Sequence, residues 1–365
     1  MKTKRIRLYI LLGLIAVGFG WCFKKTPIPD YVVDSAIKSD PSELVWLDNR
    51  RLMAVRRKVT EDGQRRGEIV VWTVDAGEDA LEVYPARFPV EFSKDTPLDL
   101  CYAGGRISYR TIGSHIKRDP ETRYYQGQVL KFAMGHWGQE ETVEFETRST
   151  DFAIDRFTCG ITPIPNRLKG REVVPLRPGD GFIYEGDSRA DGAESLVWES
   201  DDGSERIVEF YEYGIFGPYE NYAPYAISIV YSPFEGRYMM PAGRTGGRWF
   251  VPGEKTELVE NVGNSYGPWP TKLGYLSQRN RPVGISLDYG KQGLYLSWRG
   301  AEDPQVRLLY GIIHAVSVSP NGCRVGVILE RQLSNLWGED GLPKRVRMID
   351  LCRFKDELPK PERPN

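Results

Sequence analysis

Pro320-Asn321-Gly322 stands directly before the β-run Cys323-Arg324-Val325-Gly326-Val327-Ile328-Leu329. Proline presets the first turn dihedral, and Asn and Gly accept the left-handed backbone that tight turns need. The Val, Ile and Leu that follow fit a pleated strand. The same order of turn then strand recurs upstream. Asp48-Asn49 precedes Arg51–Val55, Gly104-Gly105 precedes Arg106–Arg110, Pro178–Asp180 precedes Gly181–Glu185, and Pro233–Gly236 precedes Arg237–Met240. Gln278–Asn280 before Pro282–Leu287 is a poorer copy.

A second strand follows each copy, often with a large aromatic residue near its end: Glu68–Val74, Gln128–Met134, Ser195–Trp198, Arg248–Val251, Leu294–Trp298 and Val346–Leu351. Their starts lie wider apart than the repeat of about 40–45 residues in a tight propeller. Third strands are expected at Ala80–Tyr84, Glu141–Glu146, Glu205–Tyr211, Glu257–Glu260 and Val306–Tyr310. A four-stranded sheet cannot bury both of its faces alone, so such units stack around an axis. The pattern predicts an all-β fold over residues 26–352, a β-propeller of about six four-stranded blades. The last copy lacks a third strand. Tyr31-Val32-Val33 is the expected donor, with Asp30–Ser35 pairing in the blade of Val346–Leu351. The charged, Pro-rich stretch 353–365 is expected to be a disordered tail.

Ser319-Pro320-Asn321-Gly322 resembles the Ser-Pro-Asp-Gly repeat of Tol-type and WD-repeat-like propellers, and Ser232-Pro233-Phe234-Glu235-Gly236 is similar to it more loosely. The resemblance implies a propeller of the general superfamily. It names no specific family and carries over no functional residue. The repeated Gly-His and Trp-Asp signatures of true WD repeats are lacking.

The N-terminus sets the expected address. Lys2, Lys4, Arg5 and Arg7 precede an uncharged run from Leu8 to Phe23, and Lys24 and Lys25 follow. Such a run makes a helix of about 24 Å at 1.5 Å per residue, slightly short of a hydrocarbon core of about 30 Å, and flanking Lys and Arg snorkel to close the gap. Residues 1–25 are read as a signal anchor, with the N-terminus inside and the body across the membrane. The other readings are a cleaved signal peptide ending near Ala16-Val17-Gly18 and lipidation at Cys22. The expected localisation is the bacterial inner membrane, single-pass through residues 8–23, with the body in the periplasm. Beyond residue 25 the chain keeps 43 of its 49 basic residues against all 50 acidic ones, a net of −7. That balance leaves no electrostatic footprint for nucleic acid.

Motifs for chemistry are weak. Gly263-Asn264-Ser265-Tyr266-Gly267 fits Gly-x-Ser-x-Gly, but Pro268 and Pro270 deny it the helix a nucleophile elbow requires. His115, His136 and His314 have no metal-ligand spacing, so no metal and no cofactor is expected. Asp201-Asp202-Gly203-Ser204-Glu205 offers oxygens for calcium, yet it stands between two strands, where Asp-Gly makes a hairpin turn. Asp99, Asp151, Asp155, Glu185 and Asp288 are acids that a glycosidase-like channel would need to pair.

The most unusual stretch holds Tyr211, Tyr213, Phe216, Tyr219, Tyr222 and Tyr225 among Gly and Pro, and Tyr266 and Trp269 form a second such loop. Rings with polar tips on loops suit recognition of a protein or sugar. These observations lead to a non-catalytic binding or scaffold propeller that presents loops to an envelope protein or glycan. The alternative is a propeller enzyme acting on a glycan or other envelope substrate through channel carboxylates. An oxidising compartment permits disulfides. Pairing Leu329 with Val346 sets Val327 against Met348, Val325 against Asp350 and Cys323 against Cys352, which predicts a Cys323–Cys352 bond. Cys101–Cys159 is a second, weaker pairing.

Overall fold

The computed structural model describes residues 29–37, 41–59, 65–76, 80–85, 98–103, 106–112, 124–133, 136–146, 152–155, 157, 160–169, 171, 173–186, 194–211, 229–242, 246–254, 257–259, 269–279, 292–298, 305–330 and 344–360. After a short first strand, β1 (Val32–Asp34), a four-stranded sheet is built from β2 (Pro41–Trp46), β3 (Arg51–Val59), β4 (Arg65–Thr73) and β5 (Leu81–Pro85). The next holds β6 (Leu98–Ala103), β7 (Arg106–Ile112), β8 (Tyr124–Ala133) and β9 (His136–Glu146). A two-stranded ladder follows, β10 (Phe152–Asp155) with β11 (Gly160–Pro163). The third sheet is β12 (Val173–Pro175), β13 (Phe182–Glu185), β14 (Glu194–Glu199) and β15 (Glu205–Tyr211). The fourth is β16 (Val230–Ser232), β17 (Arg237–Ala242), β18 (Gly246–Phe250) and β19 (Glu257–Val259). The fifth is β20 (Trp269–Pro270), β21 (Gly274–Arg279), β22 (Gly293–Trp298) and β23 (Gln305–Tyr310). The last joins β24 (Ile312–Val318), β25 (Arg324–Glu330) and β26 (Arg345–Asp350) to β1. Among the described residues, every pairing is antiparallel. The fold is all-β, made of several four-stranded antiparallel sheets in the manner of a β-propeller.

The β-runs of β3 and β25 are continuous rather than alternating because both faces of these strands are covered. Leu52, Met53, Ala54 and Val55 are buried in succession on β3, and Val325, Val327, Ile328 and Leu329 on β25. One core joins Leu276, Leu294 and Leu296 of the fifth sheet to Ile313, Val325 and Ile349 of the last. A second joins Ile328, Val346 and Met348 of the last sheet to Leu44, Leu52 and Val70 of the first. A third joins Leu176, Ile183 and Leu196 to Tyr238 and Phe250 of the fourth. First strands lie side by side: β2 beside β24 and β6, and β20 beside β16 and β24.

Val32 pairs with Ile349 and Asp34 with Arg347, so the residues after position 30 supply the outer strand of the last sheet. The Arg347 guanidinium donates from Nε to Asp34 Oδ1 at 2.9 Å, and the Tyr31 hydroxyl donates to the Leu308 carbonyl at 3.3 Å.

Four expectations are corrected. Gln278 lies inside β21 and pairs with Leu294 instead of opening a turn, because the first strand of that sheet is only two residues long and leaves no pattern to place the second. The last sheet sits one residue from the expected register, with Val327 facing Arg347 and Val325 facing Ile349. Cys323 and Cys352 are nonetheless joined, with an S–S distance of 2.02 Å and Cα atoms 5.1 Å apart. Both lie beyond the ends of the ladder, where the chain turns at Leu351 and strict alternation no longer aims the side chains. The tail is in turns as far as residue 358, with Leu358 buried and Phe354 packed against the same core. These two apolar residues, four apart, dock a stretch whose composition reads as solvated.

The membrane topology is the fourth correction. No helix among the described residues is long and apolar enough to cross a membrane. The helices there are the single 3-10 turns Val74–Ala76 and Asn166–Leu168. The span expected over residues 8–23 lies outside the described residues. The signal anchor, the membrane partner and the inner-membrane address with a periplasmic body are therefore withdrawn.

Candidate functional site

Three neighbouring first strands, β16, β20 and β24, end in turns at the same end of their sheets. Ser232 opens the first turn, where the Gly236 amide donates to the Ser232 carbonyl at 2.8 Å. In the second, the Thr271 hydroxyl accepts from the Gly274 amide at 3.1 Å. In the third, the Ser319 hydroxyl accepts from the Arg324 amide at 2.8 Å and donates to Asn321 Oδ1 at 2.7 Å. The turns interlock. Gly322 has φ +71°, and a Cβ there would stand 2.5 Å from the Phe234 ring and 2.6 Å from the Lys272 amide nitrogen. Only glycine meets both the backbone conformation and the close approach.

The three strand ends enclose a cleft of about 310 Å³. Val230, Tyr231 and Phe234 form one wall, Trp269 and Pro270 the next, and Val316, Val318 and Pro320 the third. Ser317 and Ser319 also line it. The Ser317 carbonyl accepts from Trp46 Nε1 at 2.9 Å, and the Ser319 hydroxyl is held inside its own turn. The lining is thus apolar and aromatic, and no acidic side chain belongs to it among the described residues.

Tyr231 is the best supported wall. The Arg177 guanidinium lies 4.1 Å from the centre of its ring. The Tyr238 ring meets Tyr231 edge-on at 5.0 Å and stacks on Phe250 at 5.0 Å. The Tyr238 hydroxyl donates to Asp180 Oδ2 at 2.5 Å and accepts from the Arg177 amide at 3.1 Å. Burial first, and then the bond to Asp180, push the Tyr238 hydroxyl well above its ordinary pKa, so it remains a donor.

Of the nominated aromatic set, Trp269 lines this cleft. Tyr211 ends β15, and its side chain lies outside the described residues, as do Tyr213, Phe216, Tyr219, Tyr222, Tyr225 and Tyr266. The side chains of Asp99, Asp151, Asp155, Glu185 and Asp288, and of Cys101, Cys159, His115 and His136, are outside them too, as is Gly263–Gly267. Tyr231 and Phe234 were missed by sequence reasoning. The signal for Phe234 is its place in the Ser232–Gly236 turn, with Tyr231 directly before it.

His314 Nε2 stands 2.7 Å from Glu330 Oε2 across the β24–β25 pair. No group of three or more His, Cys, Asp or Glu able to hold a metal occurs among the described residues. The Asp201–Glu205 stretch is closed on itself: the Ser204 amide donates to Asp202 Oδ1 at 2.9 Å, and the Ser200 hydroxyl bonds the same oxygen. Hydrogen bonding, from Ser200 first, holds the Asp202 carboxyl down to about 2.

No family model and no curated protein matches the chain. Among solved structures it is similar to a chain of the mitotic checkpoint complex, with a TM-score of 0.45 and 12% identity over 90% of this chain and 97% of that one. It is also similar to Trypanosoma rangeli sialidase in complex with sialic acid, with a TM-score of 0.41 and 10% identity over 93% and 63%. The β-propeller domain of the Trilobed protease from Pyrococcus furiosus matches with a TM-score of 0.33 and 10% identity over 80% and 79%. These likenesses name no particular family.

Proposed function

We propose that this chain is a binding propeller. Its six four-stranded sheets are six blades of a ring, β1 completes the last blade, and the cleft at the axis receives an apolar segment of a protein partner. One observation carries the reading. Tyr231, Phe234 and Trp269 converge on a cleft where the Ser317 carbonyl and the Ser319 hydroxyl already have partners. Such a lining offers ring faces and apolar contact, which suit a buried side chain better than a sugar that needs many hydrogen bonds. A volume near 310 Å³ is at the small end of ligand sites, of about 300–1,000 Å³.

A propeller serves equally as an enzyme scaffold, because function lives in the site and not in the fold. The test therefore reads binding and turnover together. Short peptides with proline or aromatic side chains, and oligosaccharides of matched size, are titrated by ligand-observed NMR and then recovered and weighed by mass spectrometry. Peptides should bind, lose binding to the Phe234→Ala and Trp269→Ala chains, and return unchanged. Binding that ignores both substitutions would overturn the cleft as the site. Recovery of cleaved or modified ligand would establish the enzyme alternative.

A further inference from the structure

Two cations stand beside the cleft, and neither is among its lining residues. Arg177 is exposed and covers Tyr231 at 4.1 Å. Lys272 is exposed on the turn that follows Pro270, where its amide donates to the Gly322 carbonyl at 3.1 Å. Among the described residues, neither side chain has a carboxylate partner. The nearby acids are engaged. Glu235 faces Arg237 at 3.4 Å, and Asp180 accepts from the Tyr238 hydroxyl. An apolar cleft beside two cations that meet no carboxylate among the described residues, in a chain whose residues beyond 25 are net acidic, is a local reversal of charge.

We infer that the partner segment is acidic as well as apolar, with an aromatic, aliphatic or proline side chain in the cleft and Asp or Glu beside it meeting Arg177 and Lys272. This rests on the cleft being a protein-binding site. The apolar contact supplies affinity, and the rim charges choose among apolar segments and fix their direction. Arginine suits this role because its planar fork takes a carboxylate while its face stays on Tyr231. Long-range steering plays little part, since a Debye length of about 8 Å at physiological salt screens two exposed charges. The charges act only after contact.

The test pans a random dodecapeptide phage library on the full chain. In parallel it uses a chain carrying Arg177→Glu and Lys272→Glu, and chains carrying Phe234→Ala or Trp269→Ala. Thermal melts confirm that each variant folds, and Phe234→Ala suffices if Trp269→Ala does not. Enriched peptides should join an apolar or proline core to flanking Asp or Glu. Their synthetic forms should bind about tenfold more weakly to the charge-reversed chain, the size expected for two exposed ion pairs. Library selection on that chain should turn to Lys and Arg. Raised salt should weaken the wild-type complexes.

Peptides that need Phe234 and Trp269 but show no acidic bias would overturn this inference and leave the cleft reading standing. Acidic peptides that bind the charge-reversed chain equally well would do the same. Enrichment that survives both aromatic substitutions, or no enrichment at all, would overturn the cleft reading itself and this inference with it.

Discussion

Replacing Arg324 by alanine cuts the joint between the last sheet and the first. The guanidinium donates to Asp350 Oδ2 at 3.2 Å, to the Asn49 carbonyl at 3.0 Å, and to both Asp75 oxygens at 3.1 and 2.8 Å. The Arg324 side chain is 17% exposed, Asp350 11% and Asp75 39%. The Asp75 pair is partly screened and is worth about 1 kcal/mol. Asp350 keeps one bond, from the Arg353 amide at 3.0 Å. Losing its charged partner while nearly buried costs about 1–3 kcal/mol. The total is about 2–4 kcal/mol, which in a domain of this size lowers Tm by roughly 4–8 °C. Urea unfolding followed by circular dichroism measures it. A double-mutant cycle with Asp75→Asn isolates the cross-sheet pair. The hydrogen bond from Arg324 is the leading cause that holds the Asp75 carboxyl below its ordinary 3.8. A depressed carboxylate stabilises above its unfolded pKa, and that share is lost as pH falls through 3.8 toward the lower folded value. The wild type should therefore lose stability faster than Arg324→Ala over that window. A cost under about 0.5 kcal/mol, or parallel pH profiles, would refute the account of this joint.

Reduction, or the Cys323→Ser/Cys352→Ser pair, should cost about 2–4 kcal/mol in urea unfolding, because the bond closes a span of 29 residues; equal midpoints with and without reductant would count against it. Gly322→Ala forces a side chain onto a φ of +71° and into Phe234 and the Lys272 backbone, so it should cost at least about 1–3 kcal/mol and weaken any ligand of the cleft; an unchanged melt would mean the turns do not interlock. Arg167→Ala removes the partner of Glu199 Oε1, 2.5 Å from Arg167 Nε, and leaves a fully buried carboxylate. A loss of about 2 kcal/mol is expected after allowing for the exposed arginine, and Glu199→Gln in the same background should recover part of it.

Strand identity was legible wherever local chemistry was strong. The Pro320-Asn321-Gly322 turn before β25, and the Val-rich run over Ile69–Val71 in β4, declare themselves through turn residues and β-branched side chains. The place of the first strand in the sheet of Val346–Leu351 was also accessible, because a sheet left one strand short must find it elsewhere. The register of β25 on β26 was not, since β25 is buried on both faces. With no polar face on β25 to keep outward, a slip of one residue leaves no mark in its pattern. The first strands were harder still. Val230–Ser232 and Trp269–Pro270 are too short for any period to show. The cleft they form with Ile312–Val318 depends on strands tens of residues apart meeting at one end of their sheets. Local sequence states which residues prefer a turn or a strand. Only the stacking of sheets, which buries Leu276 against Val325 and Leu52 against Ile328, decides that Tyr231, Phe234 and Trp269 face one another.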